Sequence, residues 1–180
     1  VLERVAGEIR KSRGEMRTLQ ADESRLARLV EEIGKVVAAL PGPGAADGPF
    51  SRLRGRLRLP VRGELAGPFG GPRKSGAAAP KGLFIRAQEG EPVRAVAAGR
   101  VVYADWMRGF GNLLILDHGE AYLSVYGNNE SLLKAPGEPV AAGETIATVG
   151  ASGGNEQSGL YFELRHLGKA FNPLRWTKAR

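Results

Sequence analysis

The sequence has no cysteine, only two histidines (His118 and His166), and aromatics at just 7% of its 180 residues. Without cysteine there is no disulfide scaffold, no thiol nucleophile and no thiolate-bound zinc. Two histidines nearly exclude any chemistry built on a histidine cluster, and each is read as a structural or surface residue. No apolar run approaches the roughly 18 residues of a membrane span. The 42% apolar and 25% charged residues that are present exclude a disordered chain and describe a globular one. Its length suits one domain with an extension. The chain opens at Val1, with neither methionine nor a signal peptide, and is read as a fragment or mature piece of a longer protein.

Charge is unevenly placed. The net +7 divides into +1 over residues 1–40, +4 over 41–62 and +2 over 63–180. The excess lies in Ser51-Arg52-Leu53-Arg54-Gly55-Arg56-Leu57-Arg58. Nucleic-acid binders spread cations and aromatics over a folded face, so no nucleic acid is expected. The arginine segment reads as an arm lying on an acidic surface.

Three parts are distinguishable. Residues 1–40 lack proline and carry apolar residues at steps of three and four, including Leu19, Leu26, Val30, Ile33 and Val37. That is the repeat of a coiled-coil seam. Gly7, Gly14 and Gly34 weaken the helix, and a break near Gly14 is plausible. A helix packed on its own domain is the alternative. Residues 41–58 are rich in proline, glycine and arginine and read as a linker. From residue 59 to 180 short β-branched runs alternate with glycine turns, which predicts a mainly β domain. Candidate strands are 83–87, 100–104, 112–117, 122–127, 145–149 and 160–166. Gly90-Glu91-Pro92-Val93 recurs as Gly137-Glu138-Pro139-Val140, a doubled turn-to-strand signal. A biotinyl- or lipoyl-like carrier also doubles such a pattern, but Lys134, in Leu133-Lys134-Ala135-Pro136, lacks the flanking residues of a modifiable lysine.

Alternation in two strands separates their faces. In 160–166 it sets Leu160, Phe162 and Leu164 against Tyr161, Glu163 and Arg165. In 122–128 it sets Leu123 and Val125 against Tyr122, Ser124, Tyr126 and Asn128. The apolar set of each strand is expected in the core, and the other set is expected to line a groove or face solvent.

From Leu59 to Trp176 the chain resembles the LytM (lysostaphin-type) zinc metallopeptidase domain of peptidoglycan hydrolases, peptidase family M23. The resemblance rests on Gly90-Glu91-Pro92-Val93-Arg94-Ala95, Gly99-Arg100-Val101-Val102, Gly111-Asn112, Asp117-His118-Gly119, Val149-Gly150, Ser152-Gly153 and Leu160-Tyr161-Phe162-Glu163. It implies a β-sheet domain of the duplicated-hybrid-motif kind. Catalytic members carry His-x-x-x-Asp and His-x-His. Here the metal ligands fall on Pro80, Phe84 and Tyr161, and the catalytic histidines on Asn128 and Gly159. The resemblance therefore implies a domain without zinc, cofactor or catalysis, because hydrolytic zinc needs three protein ligands and a water position.

Further motifs are similar to the EnvC-type murein hydrolase activators: Lys81-Gly82-Leu83-Phe84-Ile85, Ala104-Asp105-Trp106-Met107-Arg108-Gly109-Phe110-Gly111, and Ala21-Asp22-Glu23-Ser24-Arg25-Leu26. That similarity implies a periplasmic protein of cell division that activates an N-acetylmuramoyl-L-alanine amidase. Its groove would capture the amidase's inhibitory helix. A coiled coil, mostly outside this piece, would link it to the FtsEX complex. The expected groove residues are Lys81, Phe84, Phe110, Leu113, Tyr126, Asn128, Tyr161, Glu163 and Arg165, with Lys81 and Arg165 pairing to carboxylates. Residues 18–40 are expected to lie across the groove as a restraining arm. The alternative is a non-catalytic module that binds peptidoglycan directly.

Overall fold

The computed structural model describes residues 2–43, 48–66, 81–154 and 157–178, with helix side chains described at Ala6 and from Ala21 onward. Helix α1 spans Leu2–Ala38 without interruption, so Gly14 does not break it. At about 1.5 Å per residue it is about 55 Å long. It ends where it must. The Ala39 and Leu40 amides fold back on the Val36 and Val37 carbonyls at 3.2 and 3.1 Å, and Pro41 cannot extend the ladder.

Beyond α1 and two short 3-10 turns, the described residues build one antiparallel sheet of ten strands: β1 (Glu64–Leu65), β2 (Leu83–Arg86), β3 (Pro92–Arg94), β4 (Gly99–Met107), β5 (Gly111–Asp117), β6 (Tyr122–Leu132), β7 (Pro139–Val140), β8 (Thr145–Val149), β9 (Gly159–His166) and β10 (Lys169–Phe171). The order is β1-β2-β9-β6-β5-β4-β7, with β10 paired to β9 and β8 joining β3 and β6. All six expected strands are present, and the fold is mainly β as expected. The Gly-Glu-Pro-Val echo is a repeated device. Gly90 and Gly137 both take left-handed φ, 91° and 94°, and each following proline opens a short strand, β3 and β7. Glycine alone enters that region without strain.

Both faces of the central β5-β6-β9 strands are covered. On one face Leu114, Leu116, Tyr126, Leu160, Phe162 and Leu164 join the main core. On the other face Leu113, Ile115, Leu123 and Val125 pack with Leu26, Val30 and Ile33 of α1. The C-terminal part of the helical seam is thus buried on the domain's own sheet. Each such side chain contributes about 2 kcal/mol when fully buried.

Two findings change the reading of the arginine segment. Phe50, 2% exposed, stacks on His118 at 4.8 Å and on Trp176 at 5.3 Å. Leu57, 3% exposed, forms a parallel bridge with Thr177. Residues that read as linker therefore contribute to the core. Among the described residues Arg52, Arg54, Arg56 and Arg58 form no ion pair.

His118 is a core histidine. Its Nδ1 lies 2.8 Å from the Ala98 carbonyl oxygen and its Nε2 2.6 Å from Ser124 Oγ, which in turn is 2.9 Å from the Tyr126 hydroxyl. A carbonyl only accepts, so Nδ1 carries the proton. The Tyr126 hydroxyl accepts from the Val96 amide at 3.1 Å, and Ser124 links it to the imidazole. Burial pushes the imidazole down from 6.5 to about 4, partly offset by the Ala98 hydrogen bond. The unfolded chain thus binds a proton between pH 6.5 and 4 that the fold excludes. Stability is unaffected above that window and falls as pH drops through it. We expect a loss of about 2 kcal/mol between pH 7.5 and 5, read by urea unfolding. His118→Asn, whatever its cost at pH 7.5, should lose most of that pH-dependent part.

Candidate functional site

The face of β5, β6 and β9 beneath α1 brings several expected site residues together. Tyr161 pairs across the ladder with Phe84 of β2 and with Gly127 of β6. Phe110, at the turn into β5, sets its ring 5.3 Å from Tyr161. Leu113 lies on the same face, wholly buried. Lys81 is exposed just before β2. Beside it, a Cβ on Gly82 would stand 2.6 Å from Glu163 Cγ and 3.0 Å from the Tyr161 ring. Close approach of the chain there requires glycine.

Other expected members are placed differently. Tyr126 pairs with Phe162, so it sits on the opposite face, fully buried in the main core. It does not line the groove with Tyr161. Asn128 takes φ 66° and clamps loops. Its Nδ2 donates to the Gly150 and Gly159 carbonyls at 2.9 Å each, and its Oδ1 accepts from the Gly153 amide at 2.7 Å. Arg165 is 6% exposed and is no free rim cation. It donates Nη2 and Nε to Glu163 Oε1 at 2.8 and 3.1 Å, and Nη1 to the Gly168 carbonyl at 3.0 Å. Pro80 lies outside the described residues.

Sequence reasoning put Leu123 and Val125 in the core and missed them as groove floor, together with Ile115. Alternation does not mark them, because both faces of β6 are buried and the apolar parity faces α1 rather than the main core. The polar parity is tolerated in the main core because Ser124 and Tyr126 hydrogen-bond each other and His118.

Over this floor lies α1. Leu26, Val30 and Ile33 are 1, 2 and 6% exposed. Asp22, 6% exposed, pairs with Arg25 and faces Gly109 so closely that a Cβ there would come within 2.4 Å of its Oδ2. Burial, with the Glu163 and Glu23 carboxylates adding, holds the Tyr161 phenol well above its ordinary value and therefore neutral. Burial also raises the Glu163 carboxyl, with Arg165 pulling it back.

These groups do not fit a zinc ion. Phe84 has no donor atom, the Tyr161 phenol keeps its proton, and the Asn128 amide is committed to loop carbonyls. A Cβ at Gly159 would meet the Phe84 ring at 2.7 Å, so that ring fills the space a side chain at 159 needs. Among the described residues no three His, Cys, Asp or Glu side chains gather where they could hold a metal.

Residues 78–173 match the family model described as peptidase family M23. The chain belongs to peptidase family M23. It is 44% identical over 123 residues to the murein hydrolase activator EnvC of Escherichia coli K12, covering 68% of this chain and 29% of that protein. Over 124 residues it is 40% identical to the murein hydrolase activator NlpD of the same organism, covering 68% of this chain and 31% of the relative. The chain thus spans about a third of the length of the curated relatives it matches. Among solved structures, a peptidase M23 from Pseudomonas aeruginosa superposes with a TM-score of 0.66 at 22% identity, covering 86% of this chain and 59% of that one. The catalytic domain of lysostaphin from Staphylococcus simulans gives 0.56 at 22%, covering 62% and 89%. At that identity the structures speak for the M23 fold alone.

Proposed function

We propose that this chain is a non-catalytic activator of murein hydrolases, and that the face of β5, β6 and β9 is a docking trough for the inhibitory helix of an N-acetylmuramoyl-L-alanine amidase. The observation that carries the reading is the groove's present content. It already takes an amphipathic helix, α1, through Leu26, Val30 and Ile33, as helix-in-groove recognition requires. In this reading α1 is a restraining arm, and the amidase helix replaces it on Phe110, Leu113, Leu123, Val125 and Tyr161. Pro80, Phe84, Asn128, Gly159 and Tyr161 are the remains of a lost metal and catalytic site. A periplasmic location at the division site, and a link to FtsEX through coiled coil beyond this piece, follow from the EnvC resemblance. The names of the curated relatives support activation of a murein hydrolase.

Dye release from labelled sacculi tests the proposal with this chain alone, the amidase alone, and both together. Release is expected to rise several-fold only in the mixture. Chelator-sensitive release by this chain alone would overturn the reading. A truncation that frees the groove should remove residues 1–40 and keep the rest. Cutting at residue 58 would also remove Phe50 and Leu57 from the core.

A further inference from the structure

The arginine segment supplies a second concavity, on the sheet face opposite the one α1 covers. Tyr122 and His166 pair across β6 and β9 on that face and stack at 4.0 Å, 15° from parallel. Phe171 and Trp176 stand beside them, with ring centroids 6.1 and 5.4 Å from Tyr122. Around this aromatic floor open about 570 Å³, rimmed by Arg54, Lys169 and Arg175 and containing no acidic residue in its wall. All three cations are exposed, and among the described residues none of them forms an ion pair. Leu167, the most exposed large apolar side chain among the described residues at 73%, stands on the same rim.

Like charges brought together without a counter-charge repel one another, and an anion placed among them relieves that cost. Arginine forks match carboxylates in two-point contacts. Half-buried aromatic rings offer an apolar surface with polar edges, which suits the C–H face of a sugar ring. The convergence is concave, so it selects a discrete ligand that enters it, whereas a flat membrane surface would leave the aromatic floor unused. A ligand with both a sugar face and carboxylates satisfies every part of the wall. We propose that this pocket binds carboxylate-bearing murein glycan and holds the chain on the sacculus while the opposite face engages the hydrolase. The choice of murein rests on the activator reading above.

The test is co-sedimentation of the chain with purified sacculi at about 0.15 M salt, where long-range surface attraction is screened. The triple variant Arg54→Ala, Lys169→Ala, Arg175→Ala should bind at least ten-fold more weakly. A charge-matched control, Arg62→Ala, Arg86→Ala, Arg94→Ala, should stay within two-fold of the parent. Sacculi stripped of stem peptides, run in parallel, distinguish peptide carboxylates from the lactyl carboxylates of the glycan. Binding to either preparation that the pocket variant loses supports the site. Equal losses in both triple variants would overturn it, as would undiminished binding by the pocket variant. Capture by anionic phospholipid vesicles without capture by sacculi would also overturn it. Affinity for the isolated amidase, measured with no murein present, reports the helix-groove reading separately, so either can fail without the other.

Discussion

Replacing Leu26 and Val30 with aspartate should tighten binding of an amidase inhibitory helix to this chain by about thirty-fold. Both side chains are essentially sealed against the sheet, at 1 and 2% exposure. Each substitution removes about 2 kcal/mol of apolar burial and places a carboxylate in an apolar seam. The arm then leaves the groove. What the partner gains is set by how often the groove was covered before. The three most buried aliphatics contribute about 6 kcal/mol to docking α1, reduced by the entropy of ordering the helix and its tether. If only about 2 kcal/mol remains, the groove is open about 3% of the time, and opening it permanently raises apparent affinity about thirty-fold. Titration of a labelled inhibitory-helix peptide reads this directly, with circular dichroism to confirm an intact β domain. A truncation lacking residues 1–40 should behave alike. Unaltered affinity in both proteins would mean that α1 and the amidase helix do not share a surface.

Much of this architecture is legible in the sequence. The seam at Leu26, Val30 and Ile33 marks the buried side of α1, because a helix repeats its face every three to four residues whatever it packs against. The pattern does not name the partner, and a coiled coil and the chain's own sheet draw the same stripe. In β9, Leu160, Phe162 and Leu164 were placed rightly against Tyr161, Glu163 and Arg165. In β6 the same argument put Tyr126 in the groove, and the structure places it in the main core. Polarity signals an open face only where one side of the sheet meets water. The hydrogen-bonded chain from Val96 through Tyr126 and Ser124 to His118 makes a polar parity compatible with burial, and no spacing rule announces such a chain. Phe50 and Leu57 were lost in the linker for a different reason. Glycine, proline and arginine dominate their neighbourhood, and Phe50, Leu53 and Leu57 are too short an apolar series to outweigh them. The cationic pocket depends on this second error being corrected, since Arg54 reaches it only with the arginine segment fastened to Trp176 and Thr177.

Arg165 was expected to be a groove anchor pairing with a carboxylate of the partner. Its surroundings predict otherwise: Arg165→Ala should cost about 3–5 kcal/mol of stability. Glu163 is fully buried and its Oε1 takes both guanidinium bonds, while among the described residues no well-formed hydrogen bond reaches Oε2. Removing Arg165 leaves that carboxyl buried beside the Tyr161 phenol and the Glu23 carboxylate with no counter-charge. Burial already raises its pKa and Arg165 is the main opposing influence, so in the variant Glu163 stays protonated further above its ordinary 4.5. The unfolded chain ionises there and the folded one does not. The variant's deficit should therefore grow as pH rises from 5 to 8, the reverse of the His118 effect. The double variant Glu163→Leu, Arg165→Leu removes both charges and should recover most of the loss, since a buried pair is seldom more stable than well-packed apolar residues. Urea unfolding of both variants at pH 5 and pH 8 gives the comparison. A loss under about 1 kcal/mol in Arg165→Ala, with no pH trend, would show that water reaches the pair. Weak stimulation by Arg165→Ala alone thus reads as unfolding, and the informative probe of the groove is Phe84→Ala, whose ring is only half-buried and holds no charge in place.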